Sequence, residues 1–162
     1  MLTHLQEISA EIDKRYANDD ELSYLSQYAS SFAERCAAYQ ELQRVEANLV
    51  KKVEQKLSVI DNGQLLRFGT QDVTHKWHQD TIRVLRYSAL AVLLDDQKLF
   101  QNRFLYWFQT IMQAFGTQRA CTLTYGIMAE TIDILVSAST ASLIKPILEL
   151  NRDTLGKIES RF

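Results

Sequence analysis

The chain has 162 residues, 46% hydrophobic and 23% charged, the proportions of a single globular domain spanning 1–162. A formal net charge of −2 gives no electrostatic basis for nucleic-acid binding, and no apolar run reaches the ~18 residues that a membrane span needs. One proline and five glycines leave little room for a turn-rich sheet protein.

The first sixteen residues alternate charged and apolar side chains, without the apolar block of a secretory signal. The period predicts an amphipathic helix over Leu2 to Lys14. From Glu21 to Val59, apolar residues recur three or four apart, among them Leu22, Leu25, Phe32, Leu42, Leu49 and Leu57. That stripe reads as a core face, carried by one long helix or by two with a bend. Asn18, Asp19 and Asp20 precede it, and short side chains of this kind accept from the free N–H groups of a first helical turn. Residues 61–69 read as a connection, with Asn62-Gly63 as its turn. A helix is expected from Gln71 to Leu94, its apolar stripe running through Val73, Trp77, Ile82 and Leu85. Asp95-Asp96 breaks it.

Leu99 to Phe115 is strongly aromatic, and its Phe and Trp side chains fall on more than one face. Part of this segment is expected to be covered by another subunit or to line an apolar cavity. Gly116 reads as a helix stop, and a further helix is expected over Arg119 to Ser137. After a Ser139-Thr140 junction, the last helix is expected over Ser142 to Ile158, with Pro146 in its first turn, where a missing N–H costs little. Six or seven helices of unequal length imply an all-α domain with crossed packing rather than an up-down bundle.

Signatures of catalysis are lacking: there is no glycine-rich phosphate loop, no nucleophile elbow and no His-Glu-x-x-His. No catalytic residue is expected and the chain reads as a non-enzyme. The three histidines are His4, His75 and His78, so nothing after residue 78 supplies the proximal ligand of a haem. His75, His78 and Asp80 are close in sequence, but Asp80 lies far round the helix from His78, so no metal site is expected. Cys36 and Cys121 are far apart and form no Cys-x-x-Cys. They imply a reducing cytoplasmic setting without a structural disulfide.

Four segments carry a resemblance. They are Asp13-Lys14-Arg15-Tyr16 followed by Glu21-Leu22; Ala38-Tyr39-Gln40-Glu41-Leu42 with Asn48-Leu49-Val50; Lys76-Trp77-His78-Gln79-Asp80 followed by Leu85-Arg86-Tyr87; and Ala114-Phe115-Gly116-Thr117. In this order and spacing they resemble the phycobiliproteins, the light-harvesting subunits of cyanobacteria and red algae, over nearly the whole chain. The resemblance implies a globin-like helical domain with an N-terminal helical hairpin extension. It also implies a site. Where the family reads Lys-Cys-x-Arg-Asp, the cysteine forms a thioether to an open-chain tetrapyrrole (a bilin), the arginine holds a propionate and the aspartate binds pyrrole nitrogens. Here Trp77 replaces the cysteine and Gln79 the arginine; Asp80 alone is kept. An indole has no thiol, and a carboxamide cannot offer a guanidinium fork. Covalent attachment at residue 77 is therefore excluded, and Cys36, on the apolar stripe, and Cys121, at a helix start, do not replace it.

No cofactor is expected. Trp77 is expected in or against the vacated pocket, and Asp80 reads more simply as a surface or capping group. The resemblance further implies an assembly surface in which an acidic residue of the first helix pairs with the arginine of the Leu-Arg motif across subunits. Glu11 and Arg86 occupy those positions and Tyr16 belongs to the same patch, while Leu90 replaces a later interface tyrosine. The expected function is thus a pigment-free, phycobiliprotein-like binding or regulatory protein, associated with phycobilisome assembly, turnover or light adaptation. Its expected partner is a phycobiliprotein subunit, a linker or a second copy, in a homo- or heterodimer, in the cytoplasm and at the thylakoid surface. The alternatives are a non-haem globin-like sensor of an apolar small molecule such as a fatty acid, and a non-covalent tetrapyrrole carrier.

Overall fold

The computed structural model describes residues 2–12 and 15–158; Asp13 and Lys14, the end of the expected first helix, lie outside them. Helix α1 spans Leu2–Ile12. The long apolar run resolves into two helices, α2 (Asp19–Ser30) and α3 (Phe32–Val59), which meet at Ser31. Asn18 starts α2 with a capping box. Its side chain accepts from the Glu21 N–H at 2.9 Å, and the Glu21 carboxylate accepts from the Asn18 N–H at 2.8 Å.

The break at Ser31 is clamped from inside by Arg35. Its guanidinium is buried and donates to the carbonyls of Tyr28 and Leu93, each at 2.7 Å, while lying 3.9 Å over the Tyr28 ring. Leu93 lies in the last turn of the next long helix, where free carbonyls concentrate negative charge. The stripe leading into this break is less buried than its spacing suggests: Leu22 and Phe32 are about half exposed.

After α3 the chain passes through a 3-10 segment, Ile60–Leu66, into a small hairpin of β1 (Arg67–Phe68) and β2 (Gln71–Asp72). Arg67 pairs with Asp72 and Phe68 with Gln71, antiparallel. The expected helix start at Gln71 is therefore corrected: α4 runs over Thr74–Leu94. Gly69 supplies the positive φ, +61°, that the tight hairpin turn needs. Asp72 then accepts from the Thr74 N–H at 2.8 Å and opens the helix. Asp95, at φ +49°, ends α4, and Asp96 caps α5 (Gln97–Phe100) by accepting from the Leu99 N–H at 2.9 Å. A π-helical turn, Gln101–Leu105, carries the chain into α6 (Tyr106–Ala114).

Two further boundaries are corrected. Helix α7 spans Gln118–Thr131 and tightens into a 3-10 turn, Ile132–Ile134, instead of continuing to Ser137. Ser137 is taken instead as the N-cap of α8 (Ala138–Leu155). Glu41 of α3 fixes it there, accepting from its N–H at 3.0 Å and its hydroxyl at 2.8 Å. Because α8 starts early, Pro146 sits in the helix interior and not in the first turn. Pro146 and Ser142, whose carbonyl loses its partner there, are both exposed, so water can take the place of the missing N–H.

The result is all-α, with helices crossing rather than running up and down. Helix α3 lies against α4, α7 and α8, and α8 packs on α4, α6 and α7. Leu49, Val53, Leu85, Leu105, Met128 and Leu148 are fully buried at these crossings. At the α7–α8 contact a Cβ at Gly156 would overlap the Thr122 hydroxyl, so the crossing needs glycine.

Helix α1 is tied to this body by Asp96. The carboxylate accepts from the Thr3 N–H at 2.8 Å and the Thr3 hydroxyl at 3.0 Å. Burial works against its charge, but the hydrogen bonds from Thr3 and Leu99 outweigh it and hold the carboxyl below its usual range. A group with a lowered folded-state pKa stabilises above its unfolded pKa and loses that stabilisation as pH falls. The protection of the α1 amides, relative to their intrinsic exchange rates, should therefore be high at neutral pH and fall below about pH 4. Asp96→Ala should give fast α1 exchange at every pH and cost about 1–3 kcal/mol in urea unfolding.

Candidate functional site

The first turns of α4, the end of α6, the first turns of α7 and the hairpin enclose a cleft of about 220 Å³. Each wall follows from helical spacing. On α4, Trp77, Asp80 and Thr81 are three and four apart and share one face. On α6, Phe108, Met112 and Phe115 do the same, as do Cys121, Thr124 and Tyr125 on α7. From the hairpin, Phe68 meets Phe115 edge-on, with ring centroids 6.0 Å apart.

Trp77 reaches across this space. Its indole Nε1–H donates to the Thr124 hydroxyl at 3.0 Å, linking α4 to α7. The Thr124 side chain is buried and Trp77 is half-buried, so the bond gives the one polar atom of the indole a partner where water is scarce. Asp80 stands in the same wall, largely covered, with Lys76 Nζ at 3.8 Å and Arg83 at 3.7 Å. It is thus part of the cleft, at the pocket position that the resemblance gives it, and the simpler reading as a surface or capping group is corrected. Cys121 is buried, and desolvation pushes its thiol up to about 12. Burial also pushes the Tyr125 hydroxyl well up.

Of the three residues expected at the pocket, the structure therefore brings Trp77 and Asp80 together. Gln79 is exposed and does not line the cleft. The expected interface residues are separate from it. Glu11 is exposed, Tyr16 is 97% exposed, and Arg86 forms a two-pronged contact with Glu46 at 2.7 and 2.8 Å within the chain. His75 and His78 border a shallow recess with Glu54 and Asp72. Among the described residues no three His, Cys, Asp or Glu side chains are grouped to hold a metal ion. Nor, among them, is any helix long and apolar enough to cross a membrane. Sequence reasoning missed Thr124, Cys121 as a cleft residue, and Glu46. The three-residue spacing of Cys121 and Thr124 on one helix face was the signal for the first two.

The sequence model of the phycobilisome protein family matches residues 8–155. The chain belongs to the phycobilisome protein family. No curated protein matches it. Proteins of this family are structural and pigment-carrying rather than enzymatic, and they typically assemble as oligomers with other subunits. The cleft does not fit a covalently held open-chain tetrapyrrole. Its volume is below the ~300–1,000 Å³ of ordinary small-molecule sites. The indole of Trp77 spans part of it, and the one thiol in its wall, Cys121, is kept protonated by burial. A thiol is a poor nucleophile until it ionises.

The Cys121 shift sets a test. A raised folded-state pKa stabilises below the unfolded value and loses that stabilisation as pH rises. Unfolding free energy should therefore fall by about 1.4 kcal/mol per pH unit above pH ~9. Cys121→Ala should remove that slope between pH 9 and 10, before Tyr125 contributes. Native Cys121 should stay unalkylated by iodoacetamide at pH 8 and react once denaturant is added.

Proposed function

We propose that this chain is a pigment-free member of its family that works as a docking or regulatory protein of the phycobilisome. The Trp77–Thr124 bond carries the reading. Relatives hold a pigment where this chain's own indole is locked between two helices, so the scaffold is retained for its outer surface. Its partner is a phycobiliprotein subunit, a linker or a second copy, met at the thylakoid surface, and its role is in assembly, turnover or light adaptation.

The surface supports this. Tyr16 leaves a large aromatic ring almost wholly in water. Around Arg86, Tyr87 and Leu90 are about 40% exposed. The Tyr87 ring stacks on Phe104 at 4.1 Å, and Phe104 leads on to the half-exposed Trp107. Aromatic side chains beside an arginine are the composition of interface centres. The Arg86–Glu46 pair, exposed to water, is worth little to the isolated fold. It can be given up to a partner's carboxylate at small cost.

Size-exclusion chromatography of the chain mixed with purified phycobiliproteins and linkers tests this. A co-eluting complex or a self-associated dimer is expected, and Arg86→Glu should weaken it about tenfold, or about 1.4 kcal/mol. Elution as an unchanged monomer with every subunit, and no effect of Arg86→Glu, would overturn the docking role.

A further inference from the structure

We infer that the outer face of α6 seats on an anionic membrane surface, its aromatic side chains inserting among the lipid headgroups. The inference goes beyond the docking role: it needs no protein partner, and it shares only Trp107 with the surface around Arg86.

Charge singles this face out. Residues 97–129 include no aspartate or glutamate, although the chain has 20 acidic residues. The charges in that stretch are the cations Lys98, Arg103 and Arg119. Helix α6 itself carries no charged side chain. Lys98 stands 3.8 Å from Glu7 of α1. Arg103, in the π-helical turn that leads into α6, is exposed and makes no ion pair among the described residues. An uncharged helix introduced by a free guanidinium is drawn to an anionic surface and meets no carboxylate of its own stretch that would repel it.

The side chains suit such a surface. Trp107, Ile111 and Phe115 follow one another four residues apart and stand in one row. Trp107 and Phe115 are each about half exposed, as are Tyr106 beside the one and Phe68 beside the other. Eight residues of helix place the two ends of the row ~12 Å apart on a straight line, so a flat surface can take both rings at once. At the Phe68 end, Arg67 and Asp72 face each other across the hairpin, and their charges offset. Trp and Tyr settle where lipid meets water, with the ring in the apolar layer and the N–H or O–H among the headgroups.

The row is also easily dried. Thr110, midway along it, donates its hydroxyl to the Trp107 carbonyl at 2.7 Å. A protein interface carries about one hydrogen bond per 100–200 Å², and between Trp107 and Phe115 this row has no charge and little else polar to supply them. A bilayer asks for neither. A cation beside an aromatic row is the arrangement by which a helix lies in the plane of an anionic membrane.

Sedimentation with lipid vesicles tests the seat. The chain should bind vesicles of phosphatidylcholine and phosphatidylglycerol in equal parts, and bind phosphatidylcholine alone about tenfold more weakly. Lipids brominated on the acyl chain should quench Trp107 emission and spare Trp77, the other tryptophan of the chain. In Trp107→Phe the binding should persist and the quenching should vanish. Trp107→Ser and Phe115→Ser should each weaken binding about tenfold, and Arg103→Gln about fivefold, the effect of one cation at an anionic surface. No binding to the anionic vesicles, or binding that both serine variants leave intact, would overturn the proposal. So would a dimer in ultracentrifugation that Trp107→Ser dissolves while vesicles go unbound, since the row would then serve a second copy. No phycobiliprotein is present in these measurements, so the seat and the docking role fail separately.

Discussion

The hydrogen bond from the Trp77 indole to the Thr124 hydroxyl is the constraint around which the functional face is arranged. A tryptophan at the start of α4 has to put its ring somewhere dry and its N–H against an acceptor. Thr124 answers both needs, because it is buried on the α7 face that also carries Cys121 and Tyr125. The bond ties α4 to α7 at this end of the cleft. The cleft that is left is narrow and aromatic.

The rest of the fold serves the same end by ordinary means. Arg35 binds the α2–α3 break to the last carbonyls of α4, and Glu41 fixes the first residue of α8 against α3. Hydrogen bonds from the Thr140 and Ser137 hydroxyls hold the Glu41 carboxyl below its usual range. These contacts fix the end of α4 and the start of α8 against the α2–α3 arm. The Arg86–Glu46 contact, by contrast, is exposed, while Tyr87 beside it is anchored by its stack on the buried Phe104.

Much of this was legible in the sequence. The helical periods are long and strong, and the all-α, globin-like class follows from them together with the ordered motifs. Trp77 was expected at the pocket because it stands where the resemblance places the family's pigment-bearing cysteine, and an indole is large enough to fill the space of a pigment ring. The errors have local causes. The hairpin of four paired residues was invisible because its strands are two residues long and show no alternation. The start of α8 was misplaced because Glu41, almost a hundred positions away, recruits Ser137 as a cap. Asp80 was read as a surface group because a carboxylate on an apolar face shows its role only when the opposite walls, from α6 and α7, are known. The contact of Arg86 with Glu46 within the chain was not legible either, because it depends on how α3 and α4 cross, which periodicity does not specify.

The central claim is that Trp77 stands in the pigment's place, and it is tested most directly by isolating the chain from cells that make bilins. The protein should show no visible absorption beyond its aromatic bands and no zinc-induced fluorescence on a denaturing gel. A bilin that travels with the chain, whether lost on denaturation or retained on Cys36 or Cys121, would contradict the account.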